Sequence, residues 1–210
     1  MDKYLIDLVK RMNETGDQLL KPTFRSDETI SWKALRETEK LNKPEFISQL
    51  IDFINNEKNK KARDRAYFAL GHLAKNTNNT FATDYLIQRI EKETDKYVLS
   101  TLLDRITDLH KSYGTDLSPI IKQTKNKNWL VRYSAIRALN HTNDERAEQT
   151  LIEILEQSND PNDLIYGSAT LFKVGTLKAI PLLEQHLKSP KRDVKLSVKA
   201  AIEEIRKRNQ

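Results

Sequence analysis

The sequence predicts an all-α protein built as a solenoid of about five to six antiparallel helix pairs. Three observations carry this expectation. A spacing of small and apolar residues recurs at steps of 36, 33, 33 and 30 residues. Within each copy the apolar positions fall on one stripe of a helix rather than on alternate sides of a strand. Only 5 Gly and 6 Pro are spread over 210 residues, too few to turn an all-β chain every ~10 residues.

The frame is clearest as Val131-Arg132-x-x-Ala135-x-x-Ala138-Leu139. It reads again as Ala62-Arg63-x-x-Ala66-x-x-Ala69-Leu70 and as Val194-Lys195-x-x-Val198-x-x-Ala201-Ile202. Looser copies are Val98-x-x-x-Leu102-x-x-Arg105-Ile106 and Leu164-x-x-x-Ser168-x-x-Leu171-Phe172. Each copy predicts one helix, the B helix of a unit. Small residues such as Ser134, Ala135, Gly167 and Ser168 let a neighbouring helix approach closely.

Taken in chain order, residues 1–43 read as a degenerate N-terminal capping unit whose faint B helix holds Ala34-Leu35. Residues 44–208 carry the clear repeats, and the whole chain, 1–210, reads as one repeat domain. Before each B helix lies a second apolar stripe, the A helix. These stripes are Phe46, Ile47, Leu50, Ile51 and Ile54; then Tyr85, Leu86 and Ile90; then Leu117, Ile120 and Ile121. Ala147, Leu151, Ile154 and Leu155 follow, then Ile180, Leu183 and Leu187. Turn-forming residues separate them: Asn76-Thr77-Asn78-Asn79, Gly114, Asn143-Asp144, Asn159-Asp160-Pro161 and Ser189-Pro190. Asp144 suits the N-cap of the helix that follows it. One pair cannot bury its apolar face alone, whereas a stack of pairs builds a continuous core.

These residues place a resemblance. Val131-Arg132, Ala135 and Ala138-Leu139, followed by Leu151-Ile152 and Leu155, resemble the HEAT repeat family in its short bacterial form, also called PBS-lyase-like repeats. Ala62-Arg63, Ala66 and Ala69-Leu70-Gly71 match equally well, and Ala179-Ile180-Pro181-Leu182-Leu183 looks like the family's A helix. The resemblance implies a right-handed superhelix with B helices lining the concave face. It implies protein–protein scaffolding as the commonest role. Some relatives bind DNA, among them HEAT-like alkylpurine DNA glycosylases, and others attach bilin chromophores. The motif residues are packing residues, so they specify fold far better than function.

Several chemistries are excluded. With no Cys, the chain has no disulfide, thiolate metal site or cysteine nucleophile. His72, His110, His141 and His186 share no ligand spacing, and no phosphate-cradling glycine loop is present. No cofactor and no metal are expected. Asp104 and Asp108 lie at i, i+4 on one B helix, where an exposed charged face explains them as well as acid–base chemistry. No apolar run approaches the ~18 residues of a membrane span. The opening MDKYLIDLVK carries two Asp and no apolar block, which is no secretory signal. A cytoplasmic, non-enzymatic protein is the expectation.

What remains is binding. The net charge of +6 concentrates after residue 50, in clusters at Lys58–Arg65, Lys122–Arg137 and Lys188–Lys199. Such clusters attract phosphate-rich polymers or are solvated turns. Lys125-x-Lys127-x-Trp129-x-x-Arg132-Tyr133-x-x-x-Arg137 is the most unusual constellation. Its interleaved aromatic and Arg residues suit a protein-binding hot spot or base stacking with phosphate contact. Trp129 alternatively plugs the gap between repeats. Arg63 and Arg132, at one repeat position, read either as partner contacts or as structural groups reaching acids and carbonyls of the adjacent repeat. The expected partner is a protein bound on the concave face. The alternative is a nucleic acid tracked along the basic edge, although Asp95, Asp160 and Asp163 interrupt that edge.

Overall fold

The computed structural model describes residues 1–14 and 25–210; residues 15–24, inside the expected capping unit 1–43, lie outside the described residues. Twelve α-helices are found among the described residues, and they form six consecutive pairs. The degenerate first unit is a true pair, α1 (Lys3–Met12) with α2 (Ile30–Thr38). Then come α3 (Phe46–Asn56) with α4 (Lys60–Thr77), and α5 (Thr80–Arg89) with α6 (Lys96–Thr107). α7 (Ser118–Gln123) pairs with α8 (Trp129–Ala138), and α9 (Glu145–Gln157) with α10 (Pro161–Val174). α11 (Ile180–His186) and α12 (Arg192–Arg208) close the stack. No strand occurs among the described residues; a lone bridge joins Lys111 and Thr142.

Helix starts follow the repeat as the apolar frame does. Asn59, Asp95, Asn128 and Asp160 cap α4, α6, α8 and α10, each side chain accepting from backbone amides of the first turn. Asp144 caps α9, as its position predicts. Asn78, in the left-handed region at φ 48°, ends α4, and Asn79 caps α5.

The core is one cluster running from Leu5 to Ile205. The frame positions fill it: Ala66, Ala69, Leu102, Ala135, Ala138, Leu171, Val198 and Ala201 are all fully buried. Gly167 seats α10 on α9, because a Cβ there would lie 2.5 Å from Leu155 Cδ1. Arg105 departs from the frame, standing where other copies place a small or apolar residue. Gly71 of α4 makes room, since a Cβ there would meet the Arg105 Cβ at 2.9 Å. Consecutive B helices pack directly on one another from α4 to α12, while among A helices α5 packs on α7 and α9 on α11. The B layer is the more continuous of the two.

Lys111 is an unforeseen structural group. It is 1% exposed, and its ammonium donates to the carbonyls of Ile106 (2.9 Å), Leu109 (2.8 Å) and Asn140 (2.6 Å). These carbonyls sit where α6 and α8 end, at the negative poles of two helices. Three N–H donors meet three acceptors, and the Lys111 amide also donates to the His141 carbonyl at 2.9 Å. Burial pushes the ammonium down to about 7, and the Asp108 carboxylate opposes that only in part.

Candidate interaction face

Trp129 is the first residue of α8 and is 59% exposed. It does not plug the gap between repeats. Its ring rests against Tyr133, one helical turn on, with centroids 5.5 Å apart. Tyr133 in turn meets Tyr166 of α10 at 5.2 Å. The result is a three-ring row crossing two B helices. Arg132 lies over Tyr133 (5.2 Å) and Arg137 over Tyr166 (5.5 Å), so cations back the row.

Tyr133 and Arg137 lie off the core stripe, as their frame positions predict, yet both are anchored. The Tyr133 hydroxyl donates to Asp160 Oδ2 at 2.6 Å and accepts from Asn162 Nδ2 at 3.3 Å. Burial and the Asp160 bond both raise its pKa, so the phenol stays protonated. Burial pushes Asp160 up as well. Hydrogen bonds from Tyr133, the Asn162 amide and Arg132 outweigh that and hold it below the usual carboxylate range. Arg137 Nη2 binds Asp104 at 2.6 Å.

Each of the three guanidinium nitrogens of Arg132 is engaged within the fold. Nε donates to both oxygens of Asp163 (2.9 and 3.1 Å), Nη2 to Asp160 (2.9 Å) and Nη1 to the Asn126 carbonyl (3.0 Å). Arg63 repeats the pattern two units earlier. It forks onto Glu93 (3.1 and 2.9 Å) and donates to the carbonyls of Glu57 and Lys58. The structural reading of these two arginines is the one the geometry supports.

These pairs belong to a ladder. Lys60–Asp95, Arg63–Glu93, Lys75–Asp108, Arg137–Asp104 and Arg132–Asp160 each join residues about one repeat apart. The basic edge is therefore interrupted where it looked richest, since the N-cap acids Asp95 and Asp160 neutralise Lys60 and Arg132. Asp104 and Asp108, on one face, pair with different cations, Arg137 and Lys75, rather than with each other. Lys125 and Lys127 are exposed without an ion pair among the described residues, and Lys125 borders a small groove with Thr150, Glu153 and Gln157 of α9. Lys188, Lys191, Arg192 and Lys195 are likewise exposed. No group of three or more His, Cys, Asp or Glu among the described residues could hold a metal ion. No helix among them is long and apolar enough to cross a membrane.

Three residues that the sequence did not single out as site residues hold these contacts together. Tyr166 occupies the frame position of Tyr133 one unit on, which is the signal that could reveal it. Glu93 and Asp163, 5% and 6% exposed, are ordinary acids in sequence and become partners only through stacking.

The fold has counterparts among solved structures. A designed armadillo repeat protein superposes with a TM-score of 0.54 at 16% identity, over 95% of this chain and 98% of its own. An engineered protein gives 0.51 at 14% identity, covering 98% of each chain. Armadillo repeat proteins designed computationally for modular peptide recognition give 0.50 at 16% identity, over 94% of this chain and 98% of theirs. No curated protein matches the sequence. A family model for HEAT repeats matches residues 83–165 and again 117–203; with more than half of its length so matched, the chain belongs to the HEAT repeat family.

Proposed function

We propose that the chain is a non-enzymatic scaffold, acting as one continuous domain over residues 1–210, that binds a protein partner on the B-helix face around Trp129, Tyr133 and Tyr166. One observation carries this reading: a large aromatic side chain is left 59% exposed while its ring is held in place by a neighbour. Exposing a Trp offsets part of the gain of folding, and fixing it beforehand lowers the ordering cost of association. Aromatic residues backed by Arg are the usual anchors of protein interfaces. The B helices pack on one another more continuously than the A helices, as the inner layer of a superhelix does, which supports a concave position for the row. The likeness in fold to repeat proteins designed for modular peptide recognition supports a peptide or protein as the class of partner.

The test is quantitative capture from the native extract on the immobilised wild-type chain and on Trp129→Ala and Tyr166→Ala. The captured protein is then titrated in purified form. Loss of an anchor of this kind weakens affinity by about 30-fold, or roughly 2 kcal/mol. Equal affinity for all three chains sinks the assignment of this face. Capture of nucleic acid instead, with a steep salt dependence, sinks the protein-partner reading.

A further inference from the structure

The aromatic row lies on α8 and α10, but a wide groove lies elsewhere in the molecule. It has a volume of about 950 Å³ and lies between the start of α1, the outer face of α2 and the start of α3. Its floor is aromatic: Tyr4 stacks on Phe46 with centroids 6.0 Å apart and planes 29° from parallel. Trp32 forms a wall and is 40% exposed; Tyr4 is 38% exposed. Both therefore offer ring surface to the groove.

The groove is also cationic. Lys33, Arg36, Lys40 and Lys43 border it. Lys33 and Lys40 are exposed and have no ion-pair partner among the described residues. The Lys43 ammonium lies 5.5 Å from the centroid of the Phe46 ring, and the Arg36 guanidinium 5.6 Å from that of Trp32. The lining acids do not balance these charges. Both Glu37 oxygens are held by Arg11, at 2.8 and 3.2 Å, and Asp2 caps α1 through the Tyr4 amide at 2.7 Å. Arg36 is partly engaged by Glu39 at 2.6 Å. Only Glu45 among the lining carboxylates is uncommitted.

The reason these lysines stay open lies in the repeat. In the central units a cation finds its carboxylate about one repeat along the chain. At the spacings of that ladder Lys40 faces residues 68–75, which hold no carboxylate, and Lys33 faces residues 61–68, whose one acid, Asp64, is already engaged by Arg65 and Thr101. The neighbouring unit cannot neutralise them.

We propose that this groove is a second binding site, for an acidic peptide segment that carries an apolar side chain. The apolar side chain rests on the exposed part of the Tyr4 ring, against Trp32. The flanking carboxylates meet Lys33 and Lys40. A peptide fits better than a nucleic acid because the free cations are lysines rather than forked arginines. The site shares no residue with the Trp129 row and stands independently of it.

The test is fluorescence anisotropy of a labelled, end-capped Glu-rich peptide with one central Leu, titrated with the full chain. Competing probes are the same peptide with Lys for Glu and a single-stranded oligothymidylate. Lys33→Glu with Lys40→Glu should raise the midpoint by about tenfold or more, and Lys33→Gln with Lys40→Gln by less. Lys191→Glu with Lys195→Glu, at the exposed C-terminal cluster, should leave the midpoint unchanged. If charge reversal disturbs the circular dichroism melt, the Gln pair decides. The proposal is overturned by no saturable binding, by an equal midpoint in the Gln and Glu variants and the wild type, or by equal binding of the Lys peptide. Tighter binding of oligothymidylate overturns it too.

Discussion

Arg132 and Lys40 are both cations beside exposed aromatic rings, and their surroundings divide them. Arg132 in α8 meets Asp160 and Asp163 of the next unit, and each of its guanidinium nitrogens has a partner. Lys40, just past α2, has only α4 ahead of it, which offers no acid at the matching height. The stacked half of the molecule converts its charge into ties between units. The first unit leaves its charge facing solvent over an aromatic floor. The difference teaches that a basic residue in a repeat protein is read from what stands one period away, not from its immediate neighbours.

The largest effect is expected where the stack has least slack. Ala138→Asp and Ala69→Asp each force a carboxylate into a fully buried seam, at a cost of about 3–5 kcal/mol. Chemical denaturation checks this, and a wild-type midpoint for both would break the register of the repeat. Glu93→Ala comes next. It leaves Arg63 half-buried with only the Glu57 and Lys58 carbonyls, for a loss of about 3 kcal/mol. A loss near zero would reduce the ladder to decoration.

Lys111→Met should cost about 2–3 kcal/mol, because three carbonyls lose a charged donor. Its pH dependence has a definite sign. The folded pKa is near 7 and the unfolded one near 10.4, so the unfolded chain holds more protons between them. The wild type therefore gains stability relative to Lys111→Met as pH rises through that window. Denaturation of both proteins at pH 7 and 9.5 reads the difference; a gap that narrows at the higher pH contradicts it. The smallest effect is expected in the first unit. Lys33→Glu with Lys40→Glu should shift stability by no more than about 0.5 kcal/mol, although it weakens peptide binding by about tenfold or more. A large loss there would mean that these lysines are structural after all.

The frame of α4 to α12 was legible because packing between helices demands small and apolar residues at set positions. Ala66, Ala135 and Val198 report their burial through spacing alone. The pairing of Arg63 and Arg132 was half legible: their recurrence pointed to a structural role, but the acids that receive them recur less regularly. The exposure of Trp129 was not legible, since a Trp at a helix start fits a plug or an anchor equally well. Lys111 carried no signal, because a lone Lys in a loop looks solvated until two helix ends are brought onto it. The first groove escaped for a related reason. Tyr4 and Trp32 come from the unit where the frame has decayed and Phe46 from the unit after it, and only the fold places them together.

The one-repeat spacing of the ladder has a consequence for how the chain reaches this structure. Arg132–Asp160 closes a loop of 28 residues and Lys60–Asp95 one of 35. Loop-closure entropy grows only with the logarithm of length, so these ties differ by a few tenths of a kcal/mol in what they ask of the unfolded chain. No contact between distant ends has to form before nearer ones are rewarded. Folding can begin in any adjacent pair of units and spread in both directions, at the speed of a protein with local contacts.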